Sequence, residues 1–251
     1  KPCFIVFIAW MISASKDING PPGKMISFII TIVVSTFLVL QPDFGQACLI
    51  LFGWSVIYFI AGAHILLLVG VAGGALGLGS FAYISSEHFA RRIDGFLSPD
   101  LDPKTQLGYA TNAIQEGGFF GVGVGEGQVK WSLPDAHTDF IIAVAAEEYG
   151  FVLVGLILFI YSSIVCVSLA RLLRERDVFA RLAGTGLVCM FGIQAVINIG
   201  VAARLLPAKG MNLPFVSYGG SSLIAGGIAM GILLSLTRSR PQKNVADIFI
   251  K

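Results

Sequence analysis

The sequence predicts an all-α fold, a polytopic membrane helix bundle, and three observations support this prediction. Hydrophobic residues make up 55% of the chain and charged residues only 13%, whereas soluble domains average about 25% charged residues. The mean hydropathy is +0.82. The apolar residues are gathered in long runs that a soluble core cannot absorb. We therefore expect one integral membrane domain over residues 1–251.

The apolar runs predict about seven membrane spans, because a helix needs about 20 apolar residues to cross a bilayer. In chain order the runs are residues 1–14, 25–40, 44–61, 65–84, 139–169, 182–201 and 217–236. A long polar loop, at about residues 85–138, separates the fourth run from the fifth. Glycine pairs four residues apart, such as Gly73/Gly77 and Gly227/Gly231, predict close helix packing in the fourth and seventh spans.

The distribution of Lys and Arg predicts the orientation of the bundle. The short connection 171–181, RLLRERDVFAR, carries the clearest basic bias and is expected to be cytoplasmic, together with the C-terminus. This orientation places the long loop and the two short polar stretches 41–45 and 207–214 together on the outer face. A site built from these segments would therefore face outward.

A polar knot, residues 134–140 (PDAHTDF), stands directly before the fifth span. Either Thr138 or Asp139 could cap the helix that follows. Glu147 and Glu148 lie about two turns further in, and charged residues within a membrane span usually mark a functional site. On a helix, Glu147 lies about 80° around the axis from Asp139, and Glu148 about 180°. We therefore predict that Glu147 faces a central cavity with Asp139, while Glu148 needs a partner on a neighbouring helix or loop.

Two further polar features lie at or within the spans, and each has two interpretations. Asp43, in the QPDFG turn, either caps the third span or contacts a substrate directly. Gln194 and Asn198 are four residues apart and share one face of the sixth span. They either form hydrogen bonds inside the bundle or line a cavity.

The stretch 207–222, PAKGMNLPFVSYGGSS, interrupts regular structure at the mouth of the last span. Irregular backbone near a membrane persists only where protein or a watery cavity satisfies it. The hydroxyls and amides suit a polar headgroup, and Lys209 adds a positive charge. A helix N-cap with a packing tyrosine explains the stretch equally well. The candidate binding residues in it are Ser217, Tyr218, Ser221 and Ser222.

The long loop holds the remaining candidates. Arg91 lies just outside the fourth span, where it meets either lipid phosphates or a substrate pyrophosphate. The alternating glycines of residues 121–127 follow no predicted strand, so we expect a flexible loop that lets a sugar chain pass rather than a nucleotide-binding loop. Lys130 and Trp131 offer a cation and a stacking face. His137 is remote in sequence from the other histidines, so we expect hydrogen bonds that orient the loop rather than a metal cluster.

Three of these stretches carry a resemblance to a known family. QPDFG at 41–45, PDAHTDF followed by AAEEYG at 134–150, and PAKGMNLPFVSYGGSS at 207–222 resemble the motifs of the SEDS family, the FtsW and RodA proteins, in the same order. The resemblance covers essentially the whole chain; one departure is Thr105, where the family usually has a tyrosine. It implies a ten-span fold of which this chain is the C-terminal part, with Lys1 near the start of the fourth span.

The resemblance also implies an activity. SEDS proteins are peptidoglycan glycosyltransferases that polymerise lipid II at the outer face of the bacterial cytoplasmic membrane. Asp139 matches the family's catalytic aspartate and would act as the general base of an inverting transfer. Lys209, Arg204, Lys130 or Arg91 would neutralise the leaving pyrophosphate, and a divalent cation such as Mg²⁺ or Mn²⁺ could share that task. No metal site made of protein side chains is expected.

The motifs favour the FtsW branch, which acts in cell division, over the RodA branch, which acts in elongation. The implied partners are lipid II, membrane lipid, a class B penicillin-binding protein transpeptidase and other division proteins, and no nucleic acid. The candidate substrate-binding set is completed by Asp43, His137 and Glu147. A flippase for lipid II is the alternative activity; it would need polar residues along the full depth of the bundle, whereas Asp139 is expected at the outer rim.

Overall fold

The computed structural model describes residues 1–16, 20–41, 43–62, 64–85, 87–97, 105–207 and 210–238, and this part of the chain is built from helices. In chain order they are α1 (Pro2–Ala14), α2 (Gly23–Leu40), α3 (Phe44–Ile60), α4 (Ile65–Ser85), α5 (Glu87–Leu97), α6 (Gln106–Gly117), α7 (Ile141–Leu172), α8 (Val178–Ala202) and α9 (Gly220–Thr237). A short 3₁₀ turn, Val129–Trp131, follows α6.

The predicted all-α membrane bundle is confirmed, and each of the seven apolar runs forms a helix. Five helices, α2, α4, α7, α8 and α9, are long and apolar enough to cross a membrane, whereas α1 and α3 are apolar but shorter. The sixth span begins earlier than predicted, at Val178, because the Asp177 carboxylate caps it by accepting from the N–H of Phe179 at 3.0 Å. The long loop is itself partly helical, since it contains α5 and α6.

Helix α8 is the centre of the bundle. In its spanning window 61% of the residues are buried, against 6% for α4, α7 and α9, and it packs against α1, α3, α7 and α9. A Cβ on Gly186 would lie 2.8 Å from the side chain of Ile57, so a glycine allows this approach. The predicted packing role of the glycines in α4 and α9 is wrong for Gly73 and Gly227. A Cβ at either position meets nothing within 4 Å in the described structure.

Helix α7 is broken at Gly150, which has φ 74° and ψ −173°. Tyr161 stacks on Phe191 of α8 with ring centroids 5.0 Å apart, and the carbonyl of Asp139 accepts from Asn198 of α8 at 2.9 Å. If residues 139–161 formed one straight helix, Asp139 and Tyr161 would lie about 33 Å apart along its axis, but their partners on α8 are separated by only about 10 Å. Residues 141–149 therefore form a half-helix that leaves the axis of the rest of α7.

The glycine-rich segment 117–124, here called the elbow loop, completes this break. Four backbone hydrogen bonds join the elbow loop to α7 on both sides of Gly150. They run from Val122 N–H to Glu147 O (2.9 Å), Gly123 N–H to Glu148 O (3.2 Å), Phe151 N–H to Gly118 O (3.0 Å) and Val152 N–H to Phe119 O (3.4 Å). Irregular backbone in a membrane protein needs such partners, because lipid offers none. The expectation of a flexible loop is therefore wrong for Gly121 and Gly123, which are packed against α7 or bonded to it.

Replacing Gly121 by Ala tests this docking against a matched glycine. Gly121 and Gly125 both have φ +83°, but only a Cβ on Gly121 collides, at 2.2 Å from the Glu148 carbonyl oxygen. Both substitutions introduce left-handed strain of about 1–2 kcal/mol, and Gly121→Ala should cost about 1–3 kcal/mol more through overpacking. Thermal unfolding in detergent measures the difference. Equal losses for the two variants would show that the elbow loop does not dock.

Candidate active site

The polar knot before α7 is a tight turn built on Asp135. Asp135 has φ 57°, and its carbonyl accepts from the N–H groups of Thr138 (3.1 Å), Asp139 (3.1 Å) and Phe140 (3.4 Å). This turn moves the N-cap to Phe140, which makes no side-chain capping bond. The prediction that Thr138 or Asp139 caps the helix is therefore wrong, and the Asp139 carboxylate is left available for another role.

The Asp139 carboxylate lies against Gly210, a residue of the stretch 207–222. A Cβ on Gly210 would lie only 2.4 Å from Oδ2 of Asp139, so the absence of a side chain there makes room for the carboxylate. Burial, and secondarily the charge of Asp135, raises the pKa of Asp139 above its usual range. The carboxylate is thus a stronger proton acceptor than an ordinary surface aspartate.

A cavity of about 330 Å³, which Gly210 lines and Asp139 does not, lies between α1, α3, α8 and α9. Its polar lining comes from Lys1, Gln46, Ser221 and Ser222 near the starts of helices, from Asn212 in the stretch before α9, and from Gln194, about 12 Å inside the end of α8. Its apolar lining lies further along the same helices and includes Ile5, Leu187, Met190, Phe191, Ala225 and Ala229. A cavity with a polar end and an apolar end suits an amphiphilic ligand.

Two side chains, Asn198 and Ser217, connect the knot to residues 210–219 before α9 through hydrogen bonds. Asn198 is 1% exposed, and its Nδ2 donates to the carbonyls of Asp139 (2.9 Å) and Met211 (2.5 Å). Ser217 Oγ donates to the Thr138 carbonyl at 2.5 Å. The two polar stretches, about 70 residues apart in sequence, are therefore held as one unit beside the cavity, and Asn198 orients the backbone that carries Asp139.

The four candidate binding residues of the stretch 207–222 have two different positions: two line the cavity, and two form hydrogen bonds to the knot. Ser221 and Ser222 line the cavity, as a binding role requires. Ser217 instead bonds the knot, and Tyr218 uses its N–H to bond the His137 carbonyl at 2.9 Å while 81% of the residue is exposed. The knot is thus oriented through the backbone carbonyl of His137.

The prediction that Glu147 faces the cavity is wrong. Glu147 is fully buried, and its carboxylate accepts from the N–H groups of Val129 (2.8 Å) and Lys130 (3.1 Å). The turn at the knot leaves Asp139 before the start of α7, so Asp139 and Glu147 do not share the straight helix on which the prediction relied. Glu148 has its partner in the loop, as predicted: it pairs with the Lys130 ammonium, and both side chains are largely buried.

Three of the four cations expected at a pyrophosphate do not line the cavity. Lys130 is engaged by Glu148, and Arg91 pairs with Glu87 on α5 at 2.9 Å, where both side chains are exposed. Arg204 lies in the turn after α8 with φ 56°. Lys209 lies outside the described residues. The described lining of the cavity contains none of the first three.

Asp43 acts as the N-cap of α3, as one interpretation predicted, and accepts from the N–H of Gln46 at 3.3 Å. Its substrate contact stays a prediction. Of the polar pair in α8, Gln194 lines the cavity and Asn198 forms hydrogen bonds inside the bundle, so each follows one of the two interpretations.

Sequence reasoning missed three residues of the cavity. Lys1 supplies a cation to the lining; burial lowers the pKa of its side chain, and the Asp43 carboxylate opposes that shift. Gln46 has a buried Oε1 with no hydrogen-bond partner in the described structure. Asn212 lies inside a recognised stretch. The sequence offered a signal for two of them: Lys1 is a charge at the start of an apolar run, and Gln46 is an amide one turn after the Asp43 cap.

Comparison with known proteins gives one consistent result. The family model of the FtsW/RodA/SpoVE cell cycle proteins matches residues 1–242. A probable peptidoglycan glycosyltransferase FtsW from Caulobacter vibrioides is 41% identical over 242 residues, which cover 96% of this chain and 62% of that protein. Stage V sporulation protein E from Bacillus subtilis is 37% identical over 215 residues, covering 82% and 58%. The chain spans about three fifths of the length of these curated relatives.

Solved structures agree. A structure describing the coordination of polymerization and crosslinking by a peptidoglycan synthase complex matches with TM-score 0.71 and 31% identity, covering 93% of this chain and 69% of that one. The rod shape determining protein RodA of Thermus thermophilus matches with TM-score 0.63 and 28% identity, covering 96% and 64%. These matches share the helical bundle described above.

Proposed function

Because the chain belongs to the FtsW/RodA/SpoVE family of cell cycle proteins, we propose that it polymerises lipid II into peptidoglycan glycan strands during cell division. The FtsW relative is 41% identical and RodA of Thermus thermophilus 28% identical, which supports the division branch over the elongation branch. The observation that carries the proposal is the position of Asp139. Its carboxylate caps no helix and lies against Gly210, a residue of the cavity wall.

The proposed reaction transfers a glycosyl group with inversion. Asp139 takes the proton of the acceptor sugar's 4-hydroxyl, and the hydroxyl oxygen forms a bond to the anomeric carbon of the donor. The bond between that carbon and the pyrophosphate oxygen breaks on the opposite face, and undecaprenyl pyrophosphate leaves. The raised pKa of Asp139 brings its proton affinity closer to that required of a base at neutral pH.

The anionic pyrophosphate needs positive charge nearby. Lys1 lines the cavity, and Lys209 directly precedes Gly210 in the chain, so we assign them this role ahead of Arg91, Arg204 and Lys130. The start of α9 at Gly220, which no side chain caps, adds the positive end of a helix dipole. Among the described residues no three His, Cys, Asp or Glu side chains form a metal-binding cluster, and no step of the proposed reaction is assigned to Mg²⁺ or Mn²⁺.

The lining favours polymerisation over the alternative, translocation of lipid II. Polar residues of the cavity lie near the ends of α1, α3 and α9 and, for Gln194, about 12 Å inside the end of α8, whereas the positions further along these helices are apolar. A path for a sugar headgroup through the whole bundle would need polar groups along its depth. The cavity instead suits a headgroup held at one face with its lipid chain against the apolar positions.

The protein is a multi-pass membrane protein, and the proposal places it in the bacterial cytoplasmic membrane with its C-terminus in the cytoplasm. It also places the chain within a ten-span domain whose first spans lie outside residues 1–251, and pairs it with a class B penicillin-binding protein transpeptidase and other division proteins. Cysteine labels near Gly127 and near Arg176 should react from opposite sides of the membrane. Reaction of both from one side would refute the orientation.

The experiment that tests the function uses the full-length protein with its transpeptidase partner and fluorescently labelled lipid II. Glycan strands separated by size should appear, and should disappear when the protein is omitted. A preparation that binds lipid II and moves it across vesicles without forming strands would replace this proposal with the flippase.

A further inference from the structure

We infer that the elbow loop, residues 117–124, seats its apolar side chains among the lipids of the leaflet on the knot side of the membrane. The loop has an inner and an outer face. Its backbone completes the break in α7, as described above, and its large side chains point away from the protein. Phe119 is 73% exposed, Phe120 83% and Val124 69%. Leaving such a patch in water is unfavourable, because burial of apolar area contributes roughly 25 cal/mol per Å².

The patch is continuous with the lipid-facing surface of α7. The ring of Phe119 lies 6.5 Å from that of Phe151 and 6.2 Å from that of Phe120, centroid to centroid. Phe151 and Val152 are themselves about half exposed, and only 6% of the spanning window of α7 is buried. In a multi-pass membrane protein the medium against this surface is lipid, so the same medium reaches the elbow loop.

The height of the loop follows from the charge pattern of α7. Residues 151–170 contain no charged side chain, and Arg171 follows them. Twenty helical residues span about 30 Å, the thickness of the hydrocarbon core. With Arg171 at one boundary, Phe151 lies at the other, and the elbow loop lies beside it. Aromatic side chains are favoured at this boundary.

Charges on both sides of the elbow loop limit how deeply it enters. Glu116 and Glu126 flank it and are exposed, while residues 117–124 carry no charge. The loop therefore dips only to the boundary between headgroups and acyl chains, as interfacial segments do. Since the loop also holds the break at Gly150, this contact sets the height of the half-helix 141–149, which begins two residues after Asp139.

Tryptophan fluorescence in lipid bilayers tests the placement. The full-length protein with Phe120→Trp is reconstituted in phosphatidylethanolamine and phosphatidylglycerol vesicles with or without bromine on the acyl chains, and the wild-type emission is subtracted. The added emission should be quenched by brominated lipid and resist acrylamide in the aqueous phase. Gln128→Trp, four residues beyond the elbow loop and exposed, is the control and should show the reverse.

Each other outcome overturns the inference. Quenching of Phe120→Trp by acrylamide alone would place the loop in water, and quenching by neither reagent would place it against another protein, such as a partner's membrane helix. Val124→Trp provides the same measurement if Phe120→Trp does not fold. None of these results depends on the proposed activity, because the readout requires no lipid II.

Discussion

Replacing Asp139 by Asn is expected to lower the rate of glycan strand synthesis by roughly 10²–10⁴-fold, the contribution typical of a general base. The amide keeps the size of the carboxylate but cannot accept the proton. The fold should survive, because the side chain caps no helix and the Asp139 carbonyl still accepts from Asn198. The initial rate with full-length protein, transpeptidase and labelled lipid II measures the effect.

The stability of the Asp139→Asn protein should equal or exceed that of the wild type at pH 7. The pKa of Asp139 is raised in the folded state, so ionisation favours the unfolded chain at neutral pH. Removing the charge removes this penalty. The advantage should vanish as the pH falls below the pKa of the unfolded aspartate, since the carboxyl is then protonated in both states. Thermal unfolding of both proteins at pH 7 and at a pH below the pKa of the unfolded aspartate measures the difference. It also shows whether a loss of activity in the variant results from unfolding.

Asp135→Asn is the matched control for this variant. Asparagine accepts φ 57° readily, and the carbonyl that holds the turn is unchanged. At neutral pH this variant should synthesise strands at close to the wild-type rate. Near-normal synthesis by a folded, partnered Asp139→Asn protein, or an equal loss in both variants, would contradict the assignment of the base.

Gly210→Ala is expected to lower kcat by about 10²-fold, because displacing a catalytic group by 1 Å costs about that much. The new Cβ would lie 2.4 Å from Oδ2 of Asp139, so the carboxylate must rotate away from the cavity wall. The three atoms nearest the new Cβ all belong to the Asp139 carboxyl group, which can rotate, so alanine displaces that side chain rather than the backbone. The loss should therefore fall on kcat, with the melting temperature little changed.

Gly220→Ala is the control for this change. It introduces the same methyl group at the start of α9, where a Cβ meets nothing within 4 Å. Steady-state kinetics of the two variants with labelled lipid II separate a displaced base from a general disturbance of the α9 region. Equal kcat values for Gly210→Ala and Gly220→Ala would show that the position of the Asp139 carboxylate does not limit the reaction.

The sequence predicted the features that depend on short stretches of chain. Each of the seven apolar runs forms a helix, because the length and apolar pattern within each run favour a helix without contacts from elsewhere in the chain. The Asp43 cap depends on an N–H only three residues away. The partner of Glu148 lay in the loop because a carboxylate so far from water requires one.

The features that sequence analysis missed depend on contacts between distant residues. Gly150 looks like a tolerated glycine in an apolar helix, yet the helix breaks there because an elbow loop about 30 residues earlier supplies the missing hydrogen bonds. Glu147 was misplaced because the turn at the knot leaves Asp139 outside α7, and because the N–H groups of Val129 and Lys130 in the loop bind its carboxylate. Asn198 was recognised as half of a polar pair, but its bonds to Asp139 and Met211 exist only after three segments have assembled.

The acid limb of the pH–rate profile tests most directly whether Asp139 works as an ionised base. Burial is the larger cause of its raised pKa and Asp135 the smaller, so the rate of strand synthesis should fall at a pH above the usual aspartate range. The Asp135→Asn protein should show the same limb displaced to lower pH, though still above that range, because the burial remains. An acid limb at the same pH in the Asp135→Asn protein and the wild type would contradict the assignment of Asp139 as the ionised base.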